Sequence, residues 1–320
     1  MKIYEQFYLF ALQVYYSIDE IPQIKNPVLT LGTFDGVHLG HQEIIAFLKE
    51  SAKKINGETV LFTFHPHPRI VLHPNDHGMA LIQSIEERIK KLEKFGIDHL
   101  ILFPFNKEFS RLTATEFVRD ILVNKVQISL MTIGYNHHFG RNREGNLELL
   151  RELSTVYEFE VQEIPAFQKD NVNISSTKIR QAITDGDLTK ANHYLGDPFR
   201  FEGKVVKGDQ IGTKIGYPTA NIQPTFKEQI IPKIGVYAVK VLYNGKDYKG
   251  MMNIGTRPTV SNSQEKRIEV NLFDFNEMIY DCTVLVTVYK RIRAEQKFES
   301  MDALKEQLEN DKVICTHILA

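Results

Sequence analysis

The chain has 320 residues, enough at about 150 per domain for two folded domains. Its 39 basic and 40 acidic residues leave a formal net charge of -1, and 42% of residues are hydrophobic. That balance excludes a polybasic nucleic-acid or membrane-surface binder as a whole-chain property. Two cysteines, Cys282 and Cys315, are too few for a disulfide framework or a Cys-rich zinc site, so the expected setting is reducing and cytoplasmic.

Met1–Glu20 mixes apolar residues with Glu5 and other polar groups. It lacks the continuous apolar core of a span or a secretory signal and reads as a first strand and loop. Pro27–Gly32 is predicted as a buried strand ending at a glycine, and Glu43–Ile55 as a helix. Thr59–Phe64 follows as a strand, Ile85–Phe95 as a charged amphipathic helix and His99–Phe103 as a third strand. Thr113 with Glu116 has capping-box spacing and starts a helix to about Val123. Ser129–Gly134 is a fourth strand. Strands alternating with helices predict a mostly parallel sheet with right-handed crossovers, whose ligands sit at the carboxyl ends of the strands. Gly32 and Gly134 then lie on one rim.

After Asp185 strand patterns dominate: Arg200–Val206, Gly235–Tyr243, Tyr248–Gly255, Arg267–Phe275 and Thr283–Lys290, with turns such as Asn244-Gly245. These predict a small antiparallel barrel or sandwich, followed by a helix over Ser300–Asn310. The change of pattern divides the chain into 1–187 and 188–320.

Two segments carry chemistry. In the first, a strand, a glycine turn (Gly32 to Gly36) and a helix start lead into His38-Leu39-Gly40-His41. Unpaired amides at a helix start favour anions, and glycine lets a polyphosphate approach the backbone. The two imidazoles can donate to phosphate oxygens and stabilise a pyrophosphate leaving group. Zinc is disfavoured because no thiolate lies nearby, and the phosphate-loop pattern ending in Gly-Lys-Ser/Thr is absent. Ile174–Arg180 adds hydroxyls at a helix start and a permanently charged guanidinium. In the second segment, Gly208, Gly212 and Gly216 recur every four residues before Pro218-Thr219-Ala220-Asn221. This suits a mobile loop closing over phosphates. In a strand, Thr219 and Asn221 would share a face and offer hard oxygen donors to Mg²⁺. The plain structural alternatives are turn residues, a capped helix and a glycine-rich hairpin.

Leu31–Gln42 resembles a nucleotidyltransferase signature. With Thr63–Pro68, Gly134–Arg141, Ile174–Arg180, Gly208–Asn221 and Ile268–Phe275, nearly the whole chain is similar to the bifunctional prokaryotic riboflavin kinase/FMN adenylyltransferase (FAD synthetase) family. His137 and Thr213 stand where Phe and Arg are commoner. The resemblance implies an α/β Rossmann-like nucleotidyltransferase domain followed by a small antiparallel β-barrel kinase domain with a C-terminal helix. It implies phosphorylation of riboflavin by ATP to FMN, then adenylylation of FMN to FAD. In the adenylyltransferase it assigns Gly32, Phe34, Asp35, His38, His41, Ser175, Ser176, Thr177 and Arg180 to ATP, with His38 and His41 catalytic. His65, Pro66 and Asn136 fall on the FMN side. In the kinase it assigns Gly208, Gly212, Gly216, Thr219 and Asn221 to ATP, with Mg²⁺ on Thr219 and Asn221. Glu269 becomes the general base, and Arg293 and Glu295 lie on the flavin side. Riboflavin, FMN, FAD and ATP are the implied partners, with Mg²⁺ as cofactor and neither a tight prosthetic group, a nucleic acid nor a membrane.

Three rivals have counter-arguments. The Pro-Thr-Ala-Asn domain opposes a nucleotidyltransferase acting on another metabolite. His38, His41, Arg180, Thr219, Asn221 and Glu269 oppose a regulatory module that has lost one activity. The β region lacks the aromatic-plus-basic stripe of an oligonucleotide-binding barrel.

Overall fold

The structure is a computed structural model that describes residues 12–74, 79–134, 137–165, 168–169, 172–208, 216–257 and 265–320. It divides into two compact units, Met1–Met79 with Ile85–Ile174, and Ala80–Ser84 with Ser175–Ala320.

The first unit is a six-stranded sheet in the order β1-β4-β3-β2-β5-β6, with every pairing parallel. Its strands are β1 (Gln13–Tyr15), β2 (Val28–Leu31), β3 (Thr59–His65), β4 (His99–Pro104), β5 (Leu130–Gly134) and β6 (Glu160–Ile164). Period-two alternation sorts each strand's residues to opposite faces. Val28, Leu61, Leu100 and Leu130 pack with Ile45, Leu48 and Leu92 of helices α1 (Leu39–Lys54) and α3 (Ile85–Lys94). A short helix, α2 (Pro68–Leu72), precedes α3. Leu29, Val60, Phe62, Ile101 and Met131 pack on the other face with Phe117, Val118, Leu122 and Leu150. Those partners lie on the helical run begun by α4 (Ala114–Glu116) and on α5 (Leu147–Tyr157). Each such buried side chain contributes roughly 1.5–3 kcal/mol.

The strand order reverses between β2 and β5, whose carboxyl ends point the same way. Gly32 and Gly134 therefore share a rim, as the alternation implies, at the point where crevices open in such sheets.

Two helical expectations change in detail. The helix read as Glu43–Ile55 begins at Leu39, because His38 caps it through its side chain. The Thr113–Glu116 capping box is present, but the helix runs on to Val126 and is π-helical from Phe117. The α5–β6 pair was not read, because the glutamates of α5 and β6 obscure their apolar periodicity.

The second unit is built on a closed antiparallel barrel in the order β10-β13-β12-β11-β14-β9. The two-residue strands β7 (Gln168–Lys169) and β8 (Val172–Asn173) precede it in the chain. The barrel strands are β9 (Phe199–Val206), β10 (Ala220–Pro224), β11 (Gly235–Tyr243), β12 (Lys246–Arg257), β13 (Glu265–Leu272) and β14 (Thr283–Arg293). Phe201, Val239, Met252, Ile254, Val270 and Val286 are buried.

Helices α6 (Ser176–Asp185) and α7 (Leu188–Leu195) belong to this unit. Asn192 of α7 donates to the carbonyls of Val288 (3.1 Å) and Tyr289 (3.0 Å) and accepts from the Phe199 amide. That docking is why the compact units divide before α6, whereas the change of sequence pattern falls after it. Ala80–Ser84 joins the same unit through Leu81, which donates to Glu228 and accepts from Ile230.

The C-terminal helix, α8 (Met301–Ile318), extends beyond the predicted Ser300–Asn310 and starts at the Ser300 cap. It seats Cys315 and Leu319 against Val236, Ala238 and Met251 on the outside of the barrel. Burial, then the carboxylate of Asp311, push the Cys315 thiol up to about 12, so it is inert near neutral pH. Arg293 pins the helix by donating to both oxygens of fully buried Asp311, with its closest contact at 2.7 Å. Removing one member of such a pair strands the other charge, at about 3–5 kcal/mol. Asp311→Ala is therefore expected to lower unfolding free energy in a denaturant titration by about 3 kcal/mol. A change below about 0.5 kcal/mol would show that the pair does not anchor the helix.

Candidate active sites

The segment after β2 leaves the sheet through an unusual backbone. Phe34, Gly36 and Val37 have φ of 49, 89 and 38°, so two buried non-glycine residues sit in the left-handed region. Such positions cost of order 1–3 kcal/mol each and persist only where surroundings fix them. Here α3 supplies the fixing groups. Arg88 donates to the Thr33 carbonyl at 2.8 Å and lies 3.7 Å from the buried Asp35 carboxylate, while Lys91, one turn on, donates to the Gly36 carbonyl at 3.2 Å. Asp35 is thus a buried ion-pair partner within the turn. Gly32 is required by proximity, since a Cβ there would lie 2.9 Å from the Phe34 ring.

The turn delivers His38 to the start of α1. Its Nδ1 accepts from the His41 amide at 3.3 Å, which puts the hydrogen of a neutral imidazole on Nε2. The His38 and His41 rings stack at 3.6 Å, and Phe34 packs on His41 at 4.7 Å. A Cβ on Gly40 would lie 3.5 Å from the Ile174 carbonyl, which brings the entry to the Ile-Ser-Ser-Thr motif beside this helix start. The result is two stacked imidazoles over a helix N-terminus, an arrangement suited to a polyphosphate.

Ser175 caps α6 by accepting from the Lys178 amide, whereas Ser176 and Thr177 lie in its first turn with Arg180 one turn on. His65 is exposed and, with Ile85, Ile89, Leu102 and Pro104, lines a cavity of about 340 Å³. Pro66 is exposed beside it, and His67 caps α2. Asn136 lies outside the described residues. His137 is kept neutral: burial first, then the charges of His138 and Arg143, push it down to about 4.

The second cluster sits on the barrel. Asn221 of β10 faces Glu269 of β13 in register, and Glu269 faces Asn253 of β12 on its other side. Arg267, two residues before Glu269, donates from Nε to Asn221 Oδ1 at 2.7 Å, and the same Nε forms an ion pair with Glu269 Oε1 at 2.7 Å. Asn271, two residues after it, donates to the Pro218 carbonyl at 2.7 Å. Alternate residues of one strand therefore hold both ends of the Pro218–Asn221 segment. Gly208 packs against this group, and a Cβ there would collide with the Asn221 carboxamide and come 2.9 Å from Arg267. Tyr217 donates to Glu309 of α8, and Gly216 turns with φ 85°.

The strand that bears Asn221 begins at Ala220, so Thr219 lies just before it and the two are not alternate residues of one strand as expected. Gly212 lies outside the described residues. Arg293, expected beside the flavin, is committed to Asp311, while Glu295 is exposed with Oε1 3.4 Å from Asn253 Nδ2. Arg88, Lys91, Arg267, Asn253 and Asn271 were missed. For Arg267 and Asn271 the signal was present in their two-residue spacing from Glu269.

Comparison with known proteins matches residues 20–178 to the FAD synthetase family and residues 195–319 to the riboflavin kinase family. Bifunctional riboflavin kinase/FMN adenylyltransferases are similar over nearly the full length. That of Escherichia coli strain K12 is 38% identical over 93% of this chain and 94% of its own. That of Bacillus subtilis strain 168 is 36% identical over 89% and 90%. The chain belongs to the bifunctional riboflavin kinase/FMN adenylyltransferase family. A Streptococcus pneumoniae crystal structure named as a macrolide-efflux protein has the same architecture, with a TM-score of 0.86 at 34% identity over 96% of this chain and 99% of that one. Among the described residues no helix is long and apolar enough to cross a membrane.

Membership in this family carries both activities, riboflavin kinase and FMN adenylyltransferase. It also gives Arg88 a consequence. Arg88 holds the turn before His38 through the Thr33 carbonyl and Asp35, so any effect of its loss on adenylyl transfer is expected to pass through the turn. Arg88→Met is expected to lower kcat/KM for ATP in FAD formation about 10- to 100-fold and leave FMN formation unchanged, with part of the loss recovered in Arg88→Lys. Equal losses in both activities would mean that Arg88 serves folding alone.

Proposed function

We propose that residues 1–187 carry adenylyl transfer and residues 188–320 carry the kinase, with the sites placed as follows. The observation that supports this reading most is that each unit holds its own built cluster: stacked His38 and His41 at a helix start in one, and Asn221, Arg267 and Glu269 on a barrel face in the other.

In the kinase, Glu269 takes the proton of the riboflavin ribityl hydroxyl as that oxygen bonds to the γ-phosphorus of ATP and ADP leaves. Gly208, Gly212 and Gly216 give a loop whose amides meet the phosphates. The Asn221 amide oxygen and the Thr219 hydroxyl would hold Mg²⁺. The donor set fits, because both are hard oxygens and Asn221 Oδ1 already engages a cationic group. When bound, the ion neutralises phosphate charge. On the flavin side Glu295 is the contact, and Arg293, tied to Asp311, fixes where it stands.

In the adenylyltransferase, a phosphate oxygen of FMN attacks the α-phosphorus of ATP and pyrophosphate leaves. His38 and His41 donate to the phosphate oxygens as charge gathers on the leaving group, and positioning and electrostatics carry the step. Gly32, Phe34 and Asp35 shape the turn beneath the triphosphate. Ser175, Ser176, Thr177 and Arg180 supply further donors to it. His65, Pro66 and Asn136 serve the FMN side. The free thiols of Cys282 and Cys315 fit a reducing cytoplasmic setting.

Two substitutions test the division. His41→Ala is expected to abolish FAD formation while FMN formation continues, and Glu269→Gln to block FMN formation while supplied FMN is still adenylylated. FAD production near the wild-type rate would remove His41 from the reaction. Unchanged riboflavin phosphorylation would do the same for Glu269.

A further inference from the structure

The Arg267 side chain reaches the two groups on which kinase chemistry rests. One nitrogen, Nε, carries one hydrogen, and both Asn221 Oδ1 and Glu269 Oε1 lie 2.7 Å from it. Two oxygens converging on a single cationic N–H define a spot that attracts positive charge. One of them belongs to the residue assigned to the divalent ion, and the other to the residue assigned as base. The Arg267 and Glu269 side chains are 27% and 29% exposed, so the pair is neither buried nor permanent. Ion pairs with this much solvent access are weak and can be exchanged for a better cation.

We propose that Arg267 is a cation latch on the kinase site: its guanidinium engages Asn221 and Glu269 until a divalent ion arrives with nucleotide, and the ion must displace it. This rests on the assignment of Asn221 to the metal. The latch keeps the carboxamide and carboxylate in place without a ligand. It also opposes metal binding, because a positive group next to the site repels a dication and because its hydrogen bond to Asn221 and its ion pair with Glu269 must first break. Swinging away from Asn221, the guanidinium stays close to Gly208, at the mouth of the glycine-rich segment, where it can meet the phosphates that come with the metal.

The test reads metal binding directly. Mn²⁺ is titrated into the full chain in the presence of saturating ADP, with free Mn²⁺ followed by electron paramagnetic resonance. The binding lost in Asn221→Ala defines the kinase component. Arg267→Gln is expected to bind Mn²⁺ about three- to tenfold more tightly in that component, and Arg267→Lys to stay near wild type because it keeps the charge. Melting temperature controls for folding, and Arg267→Met, which also removes the charge and carries the same expected tightening, replaces the glutamine variant if that one does not fold. If Asn221→Ala leaves Mn²⁺ binding unchanged, the metal assignment fails and the latch with it. If Asn221→Ala removes a component that Arg267→Gln binds no more tightly than wild type does, the latch alone is overturned. Tightening in Arg267→Lys equal to that in Arg267→Gln also overturns it, since charge would not be the cause.

Discussion

A main-chain carbonyl that leaves a sheet still needs a donor, and both sites of this enzyme follow from how that need is met. Buried backbone oxygens without partners are costly, so irregular segments survive inside a fold only where side chains from regular elements serve them. After β2 the donors are Arg88 and Lys91, spaced one helical turn apart on α3, and the acceptors are the Thr33 and Gly36 carbonyls. Before β10 the donor is Asn271 and the acceptor is the Pro218 carbonyl. Near the end of β14, Arg291 serves the Ile234 carbonyl in the same way. Each site is thus a stretch of non-repetitive backbone fastened to a helix or strand that is itself secured by core packing.

That fastening explains why strain can be held where it is useful. Phe34 and Val37 adopt left-handed backbone angles next to the stacked imidazoles of His38 and His41. The helix behind the turn is amphipathic, but its inward face is not purely apolar: Glu87, Arg88 and Lys91 are all buried there with Leu92. A charged residue on a buried helical face usually signals an error of pattern. Here the cations of Arg88 and Lys91 engage backbone oxygens and Asp35, and the helix acts as a brace. On the barrel the same economy appears in two dimensions. Arg267, Glu269 and Asn271 alternate along one face of β13, so one strand supplies the Glu269 carboxylate, its guanidinium partner and the peg that holds Pro218.

Much of this was legible in the sequence because it rests on local pattern. The parallel sheet, the barrel and the strand–turn–helix that carries His38 and His41 follow from periodicity and glycine placement, and the motif resemblance supplied the reactions. What escaped was non-local. Nothing near Arg88 in the sequence says that it reaches Thr33, because that contact exists only once α3 packs beside the turn. The alternation argument for Thr219 and Asn221 failed at the boundary, since the strand starts at Ala220. Arg293 carries a family motif, yet its partner Asp311 lies on a separate helix, and only the fold reveals that the guanidinium is occupied. The π-helical winding of Phe117–Val126 likewise has no sequence signal, since its Val, Ile, Phe and Asn residues do not mark one helix type over another.

The central claim is that one chain performs two different displacements on ATP, one at the γ-phosphorus and one at the α-phosphorus. Isotope placement separates them. With riboflavin as the sole flavin, γ-labelled ATP should yield labelled FMN and labelled FAD, whereas α-labelled ATP should label FAD and leave FMN unlabelled. FMN carrying the α-label, or γ-labelled FMN that accumulates with no α-labelled FAD in excess ATP, would contradict the account.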